Sequence, residues 1–477
     1  MGKYTFLKSN YDIKKIYNLI FLSLTCILSI IATPYFSLFL FIYIIFLEIK
    51  CKNNAKINKN AILYNQEYNK FLVNGDKILK SSRENYALIH MDIYKFKYIN
   101  EVFGYDIGNK TLICILFILK KQIKKNELFS RIHGDHFILL IKYKSKNDII
   151  NRISKINEEI SNIDFLQKHK YNILANYGVY RINSNTTSLN EAKDMAEIAL
   201  NSVKGTHKSS IGFFNNEMKK KILEEAAIES DMNLALENNE FKVYLQAKYS
   251  LNPLKICGAE ALIRWIHPEK GIIYPGSFIP VFEKNRFIIN IDMLVFEMTC
   301  KTIKTWLNKG LTPIPISVNQ SKTGIFSKGF ITNIKYILEK YNIPPEYIEI
   351  EITESSVFDN IEKLIQIIYK LKEIGIKVSL DDFGAGYSSL NTLKDIPVDI
   401  LKIDREFFKE TSNNEKGQIV ISTIISMAKS LNIKIVAEGV ETLSQSEFLK
   451  SIKCDMVQGY LYSKPVTVEE FEKSYLL

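Results

Sequence analysis

From Phe241 onward one pattern recurs: a short apolar, often β-branched run ends in a polar residue, and a loop and helical stretch follow. The first runs are Phe241–Leu245 ending at Gln246, Cys257–Ala259 at Glu260, Ile314–Val318 at Asn319 and Tyr347–Ile350 at Glu351. The later ones are Ile374–Leu380 ending at Asp381, Asp399–Leu401 at Lys402, Ile433–Ala437 at Glu438 and Met456–Val457 at Gln458. Such runs predict buried strands. Helical stretches such as Ile361–Ile374, Ile419–Leu431 and Leu443–Ile452 alternate with the later runs. Alternation predicts a parallel sheet, and eight strands in this segment predict a (β/α)8 TIM-like barrel. Barrel closure would gather the polar strand ends around one axis, where such folds carry their sites.

Upstream, residues 61–214 also read as α/β. Tyr86–Met91 predicts a strand ending at Asp92, Leu112–Lys120 a helix, and Arg131–Ile141 two strands folded about His133-Gly134-Asp135-His136. Asp92 and Asp135, each at a strand end, are placed to share a metal; a hairpin carrying surface histidines explains the spacing equally well. Lys219–Asn239 is charged and helical, a connector between the two regions.

The N-terminal pattern differs. Ile16–Leu47 is almost continuously apolar and holds no Asp, Glu, Lys or Arg. As one helix it would be about 48 Å long at about 1.5 Å per residue, against a hydrocarbon core of about 30 Å. Thr33-Pro34 near its middle predicts a break, hence a transmembrane helical hairpin over Tyr11–Ala32 and Tyr35–Glu48. Lys3, Lys8, Lys14 and Lys15 before it, and Lys50, Lys52, Lys56 and Lys59 after it, put both flanks on the cytoplasmic side of the cell (inner) membrane. One kinked helix is the alternative. The run is too long for a signal peptide and lacks a small-residue cleavage site.

Composition changes this picture little. The 477 residues carry a formal net charge of +11, spread as lysine along the whole chain. No arginine-rich or aromatic-interleaved cluster marks a nucleic acid polymer as partner. The six cysteines are far apart with no CxxC pair, which argues against a zinc site or a disulfide framework.

The stretch Val378–Leu390 carries the sharpest chemistry. A buried strand ends in Asp381-Asp382, and two adjacent carboxylates there repel each other and lose hydration. One or two divalent cations relieve that, and hard oxygen ligands suit Mg²⁺ or Mn²⁺. Gly384 and Gly386 let the following loop fold over a ligand.

Glu260-Ala261-Leu262-Ile263-Arg264-Trp265 resembles the signature of the EAL family of cyclic-di-GMP phosphodiesterases. Further motifs match in order: Ser317-Val318-Asn319, Glu351-Ile352-Thr353-Glu354, Asp381 to Ser389, Lys402-Ile403-Asp404, Ala437 to Glu441, and Gln458-Gly459-Tyr460. The resemblance covers residues 226–477 and implies a barrel with one antiparallel strand. It implies that Glu260, Asn319, Glu351 and Asp381 hold one Mg²⁺ or Mn²⁺, and that Asp381 with Asp382 holds a second. Two such ions, about 3.5–4 Å apart, activate a water and neutralise phosphoryl charge. Lys402 orients or deprotonates that water, and Glu438 acts as a base or through the second metal. Gln246, Arg264 and Gln458 contact substrate; Glu354 and Glu441 support loops. The implied reaction is hydrolysis of cyclic-di-GMP to linear pGpG; a membrane receptor that binds without cutting is the rival from another class. Ala247 stands where the family has Pro, and Asn285-Arg286 where it has a glycine turn.

Residues 61–214 resemble the GGDEF (diguanylate cyclase) family through Asp92 to Lys97, Asn100, Phe103-Gly104, Gly108-Asn109 and Arg131 to Phe137. The resemblance matches Asp92 and Asp135 to metal-site carboxylates, Lys97 and Lys204 to phosphate contacts and Asn100 to a guanine contact. His133 replaces the first signature glycine, His136 its glutamate, Asn109 a guanine-binding aspartate, Tyr94 a second strand-end aspartate and Lys208 an arginine. An inhibitory RxxD motif would fall at Lys124–Glu127, and neither end matches. The expectation is a degenerate, inactive domain retaining a vestigial GTP site that modulates the phosphodiesterase. The expected organisation is thus an anchor at 1–50, a linker at 51–60, the GGDEF-like domain at 61–214, a connector at 215–225 and the EAL-like barrel at 226–477, in a homodimer touching membrane lipid.

Overall fold

In the computed structural model the described residues are 67–477, apart from 164–165, 167–170, 184–185, 187, 206–207, 355–359, 384–389 and 407–414. The N-terminal hairpin expected from the sequence, and the loop with Gly384 and Gly386, lie outside them. No described helix is long and apolar enough to cross a membrane. The chain divides into two units, Met1–Lys221 and Ile222–Leu477.

The first unit is built on a five-stranded sheet, β1 (Tyr86–Ile93), β2 (Leu128–His133), β3 (His136–Lys142), β4 (Ala175–Arg181) and β5 (Ile211–Phe213), in the order β2-β3-β1-β4-β5. Side chains alternate along β1: Ala87, Ile89, Met91 and Ile93 pack on one face and Tyr86 and Leu88 on the other. Helices Phe96–Phe103, Tyr105–Gln122 and Lys146–Ser161 cover the first face through Ile99, Leu112, Ile115, Ile149 and Ile153. The helical segment 67–81 and Leu189–Asn201 contribute Phe71, Leu189, Ala192 and Ala196 to the second. Leu189–Asn201 lies so close that a Cβ at Gly178 would stand 2.0 Å from the Ala196 carbonyl oxygen. A side chain there would force the helix off the sheet.

The second unit closes a ring of eight strands. They are β6 (Phe241–Leu251), β7 (Leu254–His267), β9 (Ile316–Gln320), β10 (Ile348–Thr353), β11 (Lys377–Phe383), β12 (Ile400–Ile403), β13 (Lys434–Ala437) and β14 (Met456–Val457). Short β8 (Gly271–Ile273) and β15 (Val466–Thr467) lie outside the ring on β7 and β6. The neighbours from β7 through β9 to β14 pair in parallel, whereas β6 is antiparallel to both β7 and β14. This corrects the all-parallel reading of the pattern and agrees with the single antiparallel strand of the EAL resemblance. It also moves two polar residues, since Gln246 and Glu260 pair with each other inside a long hairpin rather than ending strands. The apolar run stops at Gln246 because the inward positions turn polar there, Lys248 included, while hydrogen bonding continues to Leu251.

Around the ring, helices such as Ile288–Asn308, Phe330–Tyr341 and Ile361–Ile374 supply buried Phe296, Ile303, Ile334, Leu364 and Leu371. At the hairpin's outer end Phe241, Trp265, Phe278 and Phe282 pack as one aromatic cluster, with ring centroids 5.2–6.1 Å apart. Truncating a buried ring of this kind costs about 3–5 kcal/mol. Arg286, where the sequence departs from the glycine turn, caps helix Pro275–Asn285 at φ 65°, the left-handed region that glycine enters without penalty. The stretch Lys219–Asn239, read as helical from its sequence, lies almost wholly in one helix, Asn216–Glu237.

Candidate active site

Each ring strand places one sequence-identified residue in the barrel: Gln246, Glu260, Asn319, Glu351, Asp381, Lys402, Glu438 just past β13, and Gln458 just past β14. Four of them, all acids, converge on the fully buried ammonium of Lys402. Lys402 Nζ lies 2.6 Å from Glu351 Oε2, 2.6 Å from Glu438 Oε1, 3.1 Å from Asp381 Oδ2 and 3.7 Å from Glu260 Oε2. A chain of amides continues the cluster. Asn319 Nδ2 donates to Glu260 Oε1 at 2.7 Å, and Gln458 Nε2 donates to Glu260 Oε2 at 2.6 Å and Gln246 Oε1 at 3.0 Å. Gln246 in turn donates to the Ser463 carbonyl at 2.9 Å. Gln458 Oε1 is buried without a partner among the described residues.

Asp382 joins by a backbone device. Successive strand residues face opposite sides, but the β11–β12 register shifts between Leu380 and Phe383, and Asp382 takes φ 56°. Its N–H donates to Asp381 Oδ1 at 2.8 Å. A left-handed aspartate is strained, and such strain persists where surrounding structure enforces it. Asp382 itself stays exposed, and its carboxylate feels the charges of Asp404, Lys402, Glu260 and Glu351.

The electrostatics divide the acids. Burial raises Glu260 and Asp381, assisted by the neighbouring Glu351 carboxylate, and raises Asp382, assisted by Asp404. Burial likewise pushes Glu438 up to about 8 against the pull of Lys402. Glu351 goes the other way: burial opposes its charge, but Lys248 and Lys402 outweigh burial and bring it to about 2. Burial disfavours the Lys402 ammonium, yet the facing acids, Asp381 and Glu260 foremost, raise it well above the usual lysine value.

Lys248 was not among the residues singled out in the sequence. It is buried in β6, where its Nζ contacts Ser317 Oγ at 2.8 Å, Glu351 Oε1 at 2.8 Å and Glu349 Oε1 at 3.2 Å. Lys248 thus holds one oxygen of Glu351 and leaves the other to the cluster. Its signal was the spacing Gln246-x-Lys248, which puts both side chains on one strand face. Removing one member of a buried ion network strands its partners. Lys248→Met is expected to destabilise the barrel by about 3–5 kcal/mol in urea titration, and adding Glu349→Gln to recover part of that loss. An unchanged midpoint for Lys248→Met would rule out the network as a structural element.

Arg264 is placed apart from the lysine cluster. Its guanidinium lies 5.6 Å from the ring centroids of both Tyr244 and Tyr274, and Nη1 donates to the Ile263 carbonyl. Two aromatic faces hold the planar cation. Glu354 is buried at the end of β10. Glu441 is exposed, and its backbone N–H donates to Gln445 at a helix cap.

In the first unit β1–β3 pairing sets Asp92 opposite His136. His136 Nε2 lies 3.5 Å from Asp92 Oδ1, and Lys204 Nζ 3.2 Å from Asp92 Oδ2. Asp92, Asp135 and His136 bring ligand atoms within 4.8 Å of one another. Lys97 pairs instead with Glu101 at 3.4 Å with its side chain 88% exposed, and Asn100 abuts Gly108. Glu127, at the position where the RxxD motif is lost, makes a buried two-pronged pair with Arg152 at 2.7 and 2.8 Å.

The second unit is thus an α/β barrel whose interior gathers four carboxylates around one lysine. The chain belongs to the EAL family: residues 229–465 match the EAL domain, and residues 63–210 match the diguanylate cyclase, GGDEF domain. It is 31% identical over 385 residues to the bifunctional diguanylate cyclase/cyclic di-GMP phosphodiesterase MucR of Pseudomonas aeruginosa, covering 81% of this chain and 56% of that protein. It is 28% identical over 392 residues to the cyclic di-GMP phosphodiesterase NbdA of the same species, covering 82% and 50%. The solved PaMucR phosphodiesterase in complex with c-di-GMP is 35% identical, with a TM-score of 0.50 over 51% of this chain and 99% of that one. The chain spans about half the length of the curated relatives it matches.

Proposed function

We propose that the barrel hydrolyses cyclic-di-GMP to linear pGpG. The observation that carries this reading is the complete set around Lys402: four carboxylates, with Asn319 and Asp382 beside them. Glu260, Asn319, Glu351, Asp381 and Asp382 are oxygen donors and suit Mg²⁺ or Mn²⁺. Such ions, when bound, supply Lewis-acid activation of water and neutralise phosphoryl charge. Lys402 is held protonated by its acids, so it orients an attacking water rather than deprotonating it. Glu438, 2.6 Å from Lys402 Nζ, is placed to act as general base toward that water. Gln458 Oε1, buried and unpartnered, offers an acceptor to a guanine N–H, and Arg264 offers a cation to a phosphate or guanine edge.

The test is incubation of the chain with cyclic-di-GMP and Mg²⁺ or Mn²⁺, following pGpG by chromatography. The expected result is cleavage with either ion and none with EDTA. Binding without cleavage under both ions would establish the receptor alternative instead.

The other parts of the reading are drawn from the sequence. Residues 1–50 anchor the chain in the inner membrane with its domains cytoplasmic, and the protein acts as a homodimer. The GGDEF-like domain makes no cyclic-di-GMP, and GTP occupancy there modulates the barrel. Support comes from His136 occupying the place of the signature glutamate and from Lys97 turning to Glu101. With GTP and Mg²⁺, no cyclic-di-GMP is expected, and the phosphodiesterase rate should shift in wild type but not in Asp92→Ala. Cyclic-di-GMP formed from GTP would overturn the inactive reading; a rate indifferent to GTP would leave the domain as a spacer.

A further inference from the structure

The cluster on β1 and β3 has donors different from those of the barrel. Asp92 and Asp135 each present a carboxylate oxygen and His136 an imidazole nitrogen, all within 4.8 Å of one another. The positions of these donors are set from several sides. Strand pairing fixes Asp92 opposite His136, and the turn between β2 and β3 is stapled by Arg131 Nε donating to the Gly134 carbonyl at 2.7 Å. His136 Nδ1 lies 3.1 Å from Nε2 of His90, which is 3% exposed. That contact engages one ring nitrogen of His136 and leaves Nε2 3.5 Å from Asp92 Oδ1. Lys204 takes Oδ2 of Asp92, the oxygen that does not face His136.

We propose that Asp92, Asp135 and His136 form a site for a divalent transition ion of the Zn²⁺ class, with His90 as its positioning residue. The chemistry favours this over Mg²⁺. Imidazole suits Zn²⁺ and its neighbours in the first transition row, whereas all-oxygen sets suit Mg²⁺. Histidines that bind metals almost always engage their other ring nitrogen with a polar partner, which fixes ring and tautomer. His90 is that partner. The site uses no cysteine, so the absence of a CxxC pair does not bear on it. With the glutamate of the resemblance at position 136 the donors would all be oxygen; the imidazole changes the preferred ion.

The experiment uses the full chain in detergent micelles with excess Mg²⁺ to keep the barrel acids occupied. Zn²⁺ binding is followed by calorimetry, and Co²⁺ by the visible absorption that nitrogen and oxygen ligands produce. One equivalent of Zn²⁺ is expected in wild type and in Glu260→Gln, and its loss in His136→Ala and Asp92→Asn. His90→Phe should weaken Zn²⁺ about 10- to 100-fold, as loss of an outer partner does elsewhere. His136→Glu, which keeps a ligand at the position, should retain the fold by circular dichroism and abolish the Co²⁺–nitrogen absorption. Equal Zn²⁺ stoichiometry in wild type, His136→Ala and His136→Glu would overturn the proposal, as would loss confined to Glu260→Gln. None of these readouts depends on phosphodiesterase activity, so failure of the barrel's assigned reaction would leave this result standing.

Discussion

Lys402→Met is expected to lower cyclic-di-GMP cleavage by at least 10²- to 10³-fold, the scale on which loss of one preorganised electrostatic group is felt. The ammonium is shared by Glu351, Glu438, Asp381 and Glu260, so the variant leaves four acids facing one another across a buried space. Without metal, the barrel should lose about 3–5 kcal/mol, as when one partner of a buried ion pair is removed. Mn²⁺ should then raise the thermal midpoint more in the variant than in wild type, because the added cations replace the missing charge. That pairing of results separates a lost catalytic group from a lost fold. Asp381→Asn should abolish turnover comparably but with a smaller stability loss, since it removes one negative charge from an acidic cluster. A Lys402→Met chain that folds with Mn²⁺ and turns over near the wild-type rate would remove Lys402 from the mechanism.

The second large effect concerns pH. In the folded, metal-free barrel burial pushes the Glu438 carboxyl up to about 8 from an ordinary 4.5. Between those values the folded chain holds a proton that the unfolded chain has released, so stability must fall as pH rises through the interval. The contribution is present in full below about 4.5 and lost above about 8, with a slope approaching 1.4 kcal/mol per pH unit for one proton. Urea titrations in EDTA at several pH values should show this decline, and Glu438→Gln should remove it. Saturating Mn²⁺ should flatten the wild-type profile, because the acids around the bound cations are then ionised. A metal-free stability that climbs from pH 5 to pH 8 relative to Glu438→Gln would contradict the raised carboxyl.

Much of this was legible because strand ends interrupt hydrophobic runs with single polar residues. Asp381, Lys402, Glu438 and Glu351 stand out on that criterion alone, and the barrel follows from their recurrence. A strand whose inward face is itself polar shows no such interruption. Lys248 and Glu349 are buried and paired, yet in sequence they read as ordinary charged residues, since pairing across strands carries no local signal. The same cause hid the length of β6 and its antiparallel direction. Asp382 stands out as a carboxylate, but the irregularity in β11–β12 register beside it, and its left-handed backbone, carry no signal in composition. Asp292 illustrates a third kind. It accepts from Ser321 N at 3.0 Å and Ser321 Oγ at 2.6 Å, and burial holds its carboxyl near 7. It secures the turn that follows Asn319 from 29 residues away, and an isolated acid within an apolar helix gave no hint of that partner.

The strand β6 bonds to β7, its immediate successor, and to β14, which is formed by Met456–Val457. The seam Tyr249–Val457 therefore joins positions more than two hundred residues apart. On a ribosome the β6–β7 hairpin can form early, but its free edge waits for nearly the whole barrel to be synthesised. Until then β6 and the most recently made strand expose unpaired backbone groups, the hazard of any open sheet. Cells making this chain thus face a late assembly step, and a product ending before Met456 would keep those two edges open. Chaperone demand should accordingly peak just before Met456–Val457 is made, when almost every group of the active centre already exists but the wall around it is still parted.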